Sequence, residues 1–140
     1  MIEIRPADAI AVQALRLQPR QSWISGLLHA LPGLDASEPA VMVYAADRPI
    51  GALGALPHWP GRASCWALLA DGIGSLMVPL TRAVTAWLET APHRRLECTC
   101  AADDARGHRW ANLLGFEREG LMRAYGADGR DYVLYARVRR

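Results

Sequence analysis

The 140-residue chain is short of several things, and each shortage excludes a class of protein. Charge is nearly balanced: 16 basic against 14 acidic side chains leave a formal +2. So weak a field gives no reason to expect nucleic acid or a membrane surface as a partner. Long apolar runs are missing too. Gly, Pro or a charge interrupts each one well before the ~20 residues that a membrane-spanning helix needs. Cysteine is scarce and odd in number (Cys65, Cys98, Cys100), so a disulfide framework is not expected. The charged opening Met1-Ile-Glu-Ile-Arg-Pro reads as a strand rather than a signal peptide, and reduced thiols in a cytoplasmic protein are the expectation. There is no internal repeat, low-complexity tract or linker. What is present is apolar: 51% of residues, enough for one compact domain over 1–140 and too short a chain for two ordinary ones.

Patterning sets the expected elements. Ile2 to Arg5 is a short strand. Pro6 and Asp8 open a helix, with Asp able to cap the first amides. A second helix follows Pro19 and places Trp23, Ile24, Leu27, Leu28 and Leu31 on one side until Pro32-Gly33 stops it. Ala40–Ala46 and Ile50–Leu56 form a hairpin around Asp47-Arg48-Pro49. Pro57, Pro60 and Gly61 mark a loop. Ala63–Leu69 carries no charge and predicts a central strand covered on both faces. After Gly72-Ile73-Gly74 a helix runs to about Thr90 with Leu76, Met77, Leu80, Val84, Trp87 and Leu88 as its apolar stripe. Pro79 fits only a first turn, so the regular helix starts later than Ser75. In Arg95–Cys100, Leu96, Cys98 and Cys100 face one way and Arg95, Glu97 and Thr99 the other. The last third reads as a helix stopped by Gly115, a strand carrying Phe116, a Gly-rich turn and a closing strand. The order is β-α-α-β-β-β-α-β-α-β-β, an α+β or mixed α/β domain.

That order, with Leu114-Gly115-Phe116 at the late hinge, resembles the GNAT superfamily of acetyl-CoA-dependent N-acetyltransferases. A looser likeness is to short GNAT-like proteins of phage and prophage. The resemblance implies a mostly antiparallel central sheet flanked by helices. Its fourth and fifth strands, here Ala63–Leu69 and Arg95–Cys100, would splay apart, with acetyl-CoA in the cleft. The family's Gln/Arg-x-x-Gly-x-Gly/Ala signature falls on Leu69-Ala70-Asp71-Gly72-Ile73-Gly74. Both glycines are in register, and small residues let backbone N–H groups approach a pyrophosphate at a helix N-terminus. Leu69 replaces the polar first residue, and Asp71 stands where a basic residue is common. A carboxylate beside a phosphate charge at ~4 Å costs up to ~4 kcal/mol; Asp71 as a helix cap is the alternative. Cofactor contacts implied by the resemblance are Ala67, Leu68, Leu69, Gly72, Ile73, Gly74 and Ser75.

Acetyl transfer needs a proton acceptor for the amine, donors for the oxyanion and an acid for the leaving thiolate. Strand amides near Ala67 and Leu68 would serve the oxyanion. Glu97 is the acidic residue on the groove strands and the candidate base; a sheet carboxylate paired with Arg95 is the alternative. Trp110 stands where many members carry a Tyr acid and has no ionisable proton. Tyr125, read as part of the following strand, is the substitute; a half-buried strand aromatic is the alternative. Tyr132 and Tyr135 read as core or sheet residues. Asp104 reads as a helix N-cap, and Arg106, His108 and Arg109 as a solvated helix face. No metal site is expected, since Cys98-x-Cys100 with His108 has the wrong spacing for paired ligands. The expected partner is an amine of unidentified kind, small molecule or protein. An apolar edge near Val133 leaves a homodimer open. A non-catalytic binding or structural module of the same fold, such as a phage accessory or virion protein, is the rival reading.

Overall fold

The computed structural model describes residues 1–7, 12, 15–17 and 40–139. Most of the two helices expected between Asp8 and Leu31 lies outside the described residues; Val12 is helical and fully buried. Seven strands form one mixed sheet: β1 (Ile2–Pro6), β2 (Val41–Ala45), β3 (Arg48–Trp59), β4 (Arg62–Leu69), β5 (Arg95–Ala101), β6 (Glu117–Met122) and β7 (Tyr132–Val138). Their order in the sheet is β1-β2-β3-β4-β5-β7-β6. A 3-10 turn (Gly74–Leu76) leads into α1 (Met77–Thr90), and α2 (Ala105–Leu113) follows β5. β1–β2, β2–β3, β5–β7 and β6–β7 pair antiparallel. The β4–β5 pair is parallel and its ladder covers only Arg62–Ser64 against Arg95–Glu97. The sheet is mostly antiparallel, as the resemblance implies, and so short a parallel ladder fits strands that part.

Two compact units divide the chain. The first comprises Met1–Leu56 and Cys65–Ala83. In it β2 and β3 turn at Ala46-Asp47, both with positive φ (48° and 66°), one residue earlier than the sequence suggests. Two left-handed residues give the primed turn whose twist matches a hairpin. Met42, Ile50, Leu53, Leu68, Leu69 and Leu80 are almost fully buried there. Each such side chain contributes roughly 1.5–3 kcal/mol of transfer free energy. Pro79 lies in the first turn of α1, where its missing N–H costs nothing.

The second unit comprises Pro57–Ser64 and Val84–Arg140. β3 runs on through Pro57 to Trp59, so the loop expected from Pro57 to Gly61 is only a turn at Pro60-Gly61, with Gly61 at φ +97°. α2 ends as the sequence predicts. Gly115 takes φ +90°, the Gly115 amide donates to Asn112 O (3.0 Å) and the Phe116 amide donates to Ala111 O (3.0 Å). That is the Schellman arrangement, and it explains Leu-Gly-Phe physically: a left-handed residue between two buried apolar ones. Phe116 precedes β6 rather than belonging to it. Arg137 of β7 closes the end by donating from Nε to Leu114 O (3.1 Å). Arg139 donates to Glu89 O (2.9 Å) and Ala91 O (2.7 Å) at the end of α1. β7 lies between β5 and β6, and Val133 is buried, so it is not the exposed edge the sequence suggested; β1 and β6 are the edge strands. Among the described residues no helix is long and apolar enough to cross a membrane.

Candidate functional site

In the first unit the glycine loop grows directly out of β4. The Ala70 amide donates to Ile50 O (2.9 Å), and the Asp71 amide donates to Arg16 O (2.7 Å). Gly72 then turns the chain with φ +72°, where an L side chain is strained. Ile73 is buried and stands at the N-cap of the 3-10 turn, with no side chain capping it. Asp71 is exposed, so the expected capping role is not taken. No acidic residue lies in the first turn of α1 either.

Gly74 differs from Gly72. Its φ lies outside the left-handed range, and a Cβ built there meets nothing within 4 Å. Nothing inside the described structure requires glycine at 74; the space beside an uncapped helix start is simply open. Gly74 and Ser75 are exposed, whereas the side chains of Leu69 and Ile73 are core. Leu69 Cδ2 packs over Gly51, 3.3 Å from where a Cβ would sit. Leu69 therefore presents no side chain to a ligand, which is the physical reason a polar residue is not needed for packing there. Ala67 and Leu68 are strand residues of β4, the latter buried.

A residue that sequence reading missed joins this loop. Arg48 opens β3, and its Nη2 donates to Asp71 O (3.3 Å). The signal was the register: Ile50 bonds Ala70 at the end of β4, so Arg48, two residues earlier on β3, comes to the loop that follows. The guanidinium holds the Asp71 carbonyl and brings a positive charge to the glycine loop. An uncapped helix start, open space at Gly74 and a nearby arginine together suit an anionic phosphate group.

In the second unit Glu97 is not on an open polar face. It is 5% exposed, buried next to buried Leu96, and strict alternation fails along β5. Its main partner is Arg62 rather than Arg95. Arg62 Nε donates to Oε2 (2.7 Å) and Nη2 to Oε1 (2.9 Å), a bidentate fork. Arg95 Nε lies 3.7 Å from Oε2. The hydrogen bonds from Arg62 hold the carboxyl below the usual range, against the opposing effect of burial. Arg95 pairs with Glu119, its Nη1 donating to Oε2 (3.0 Å). Glu119 is the residue the β6–β7 ladder skips, so a bulge aims it at Arg95. The Trp59 ring covers Arg62, 4.6 Å from its guanidinium carbon. His58 Nε2 and Ser64 Oγ are 2.6 Å apart. A carboxylate so engaged is a weak proton acceptor.

Tyr125 lies in the connection between β6 and β7, not in a strand; it is 58% exposed, with its ring 5.7 Å from that of Tyr132. Asp104 caps α2, its Oδ1 accepting from the Gly107 amide (3.0 Å). Arg106 and Arg109 are exposed as expected, but His108 is not a solvated face residue. Its Nε2 is 3.0 Å from Ala102 O, which only accepts, so Nε2 carries the proton. In the neutral ring Nδ1 then accepts from the Tyr135 hydroxyl (2.7 Å). Burial pushes the Tyr135 phenol above its ordinary value. Among the described residues no three His, Cys, Asp or Glu side chains group as metal ligands.

Comparison with known proteins gives structure, not sequence. No family model matches the chain, and no curated protein matches it. Solved structures do. A probable GNAT-family acetyltransferase from Chromobacterium violaceum superposes with a TM-score of 0.73 at 22% identity, over 98% of this chain and 87% of that one. The IAA acetyltransferase from Bacillus cereus gives 0.73 at 13% identity, over 99% and 100%. A variant of the spermidine N-acetyltransferase from Vibrio cholerae gives 0.69 at 15%, over 98% and 93%. At such identities the likeness speaks for the fold alone: the chain has the fold of the GNAT-family acetyltransferases.

Proposed function

We propose that this protein is an acetyl-CoA-dependent N-acetyltransferase acting on an amine. The observation that carries this reading is Gly74. It is a glycine with no internal reason to be one, beside open space at an uncapped helix start. A pyrophosphate supplies the missing reason, because backbone N–H groups and the helix dipole favour an anion and any side chain would obstruct it. Arg48 adds a positive charge at the same loop. Acetyl-CoA supplies an activated thioester; the chain supplies position. Strand amides around Ala67 and Leu68 are the reading for the developing oxyanion. The amine proton goes to solvent rather than to Glu97, whose lone pairs are held by Arg62. A coenzyme A thiolate is a tolerable leaving group near its pKa of about 8.5, so the scheme does not depend on Tyr125 as an acid. The amine donates its lone pair to the thioester carbonyl, the C–S bond breaks, and an amide and coenzyme A leave.

Calorimetric titration with acetyl-CoA tests this reading. Micromolar binding is expected; no heat and no thermal shift at millimolar ligand would overturn it. The chain contains no lysine, so labelled acetate cannot accumulate on its own lysines and blur an acceptor screen. The rival reading, a non-catalytic module of the same fold, draws on the closed Arg62–Glu97 fork. It expects coenzyme A binding, if any, without turnover of any amine.

A further inference from the structure

Trp66 stands on β4 in the first unit, one residue before Ala67. Its indole lies over Gly54 of β3. A Cβ at Gly54 would come within 2.4 Å of ring atoms Cε2 and Cζ2 and 2.5 Å of Nε1. The Gly54 backbone is not left-handed, so the glycine is there to give the ring room. This seating fixes the ring and, with it, the direction of its one polar group.

That group is unsatisfied. Nε1 is buried, and among the described residues no atom accepts its hydrogen. An indole nitrogen can only donate, and buried tryptophan N–H groups normally find a partner. The chain therefore holds a rigid, dehydrated, neutral donor on the strand whose amides the acetyltransferase reading already uses.

We propose that Trp66 Nε1–H donates to an oxygen of the acceptor, so that the substrate is an amine that also carries a carboxylate or carbonyl oxygen rather than a bare polyamine. Ammonium groups offer donors only and leave the indole hydrogen unmatched, whereas an oxygen matches it. A site built around a buried donor rejects analogues lacking the complementary atom, because the donor is then left without a partner. This assignment rests on the acetyltransferase reading and narrows its acceptor.

The test uses the full chain, labelled with 15N, and follows the indole N–H resonances in the presence of acetyl-CoA. Probes are amino acids and amino-acid amides set against diamines of matching length. The Trp66 resonance, identified by its loss in Trp66→Phe, is expected to move downfield with an oxygen-bearing amine and to stay put with diamines. In steady-state assays Trp66→Phe is expected to raise KM for the oxygen-bearing acceptor about tenfold while KM for acetyl-CoA is unchanged. Should Trp66→Phe fold poorly, Gly54→Ala displaces the same ring and is expected to show the same split. An indole resonance that no oxygen-bearing amine moves, or that diamines move equally, overturns the assignment while acetyl-CoA binding stands. Loss of acetyl-CoA binding in the unmodified protein would instead remove the acetyltransferase reading, and this assignment with it.

Discussion

The loop at Gly72–Ser75 and the cluster around Glu97 are both polar, yet they are opposites. At the loop, the helix start has no side-chain cap and Gly74 faces empty space. Around Glu97 every strong group has a partner: Arg62 forks the carboxylate, and Arg95 turns to Glu119. A group with partners inside the chain contributes to folding; a group without them is available to a ligand. That criterion is why the proposed function puts binding at the loop and treats Glu97 as a structural anion, although the sequence offers both as site residues.

Substitutions at the two places should separate these roles. The largest effect is expected from Gly74→Asp, which sets a carboxylate at the open helix start. Acetyl-CoA affinity should fall by about 100-fold, read by calorimetry, with the melting temperature nearly unchanged. An equal loss of stability would mean that the loop is structural after all. Gly72→Ala should do the reverse. Its φ of +72° makes the cost backbone strain of about 1–2 kcal/mol, read by urea unfolding.

Glu97→Gln should cost about 2 kcal/mol at neutral pH by removing a charge-assisted fork from a buried site. The pH dependence fixes the sign. The folded-state carboxyl titrates below its unfolded value. Its contribution is thus complete above the unfolded pKa, near 4.3, and disappears as pH falls through the lower folded one. Unfolding curves between pH 7 and pH 3 should show wild type converging on the variant in acid. A turnover loss much beyond tenfold, without loss of stability, would restore Glu97 as a base. The smallest change is expected from Tyr125→Phe: less than about twofold in kcat, because the proposed scheme does not use this exposed phenol as an acid.

Much of the fold was legible because local chemistry decided it. Gly115 had to stop a helix, Asp104 had to cap one, and Pro79 had to sit in a first turn; all three are found so. The places that misled are those where distant partners decide. Glu97 reads as a surface residue in Arg95–Cys100, because nothing nearby in sequence announces Arg62, 35 positions away. Arg48 was invisible for the same reason: its place at the glycine loop follows from strand register, not composition. His108 looked solvated until β7 brought Tyr135 to its ring. Trp66 carried no signal at all, since a tryptophan in an apolar strand is ordinary until its nitrogen is seen to lack an acceptor.

The arginines at the far end of β7 have a practical meaning. Arg137 and Arg139 close the carboxyl ends of both described helices by holding Leu114, Glu89 and Ala91 carbonyls. Replacing both arginines would therefore fray two helices at once.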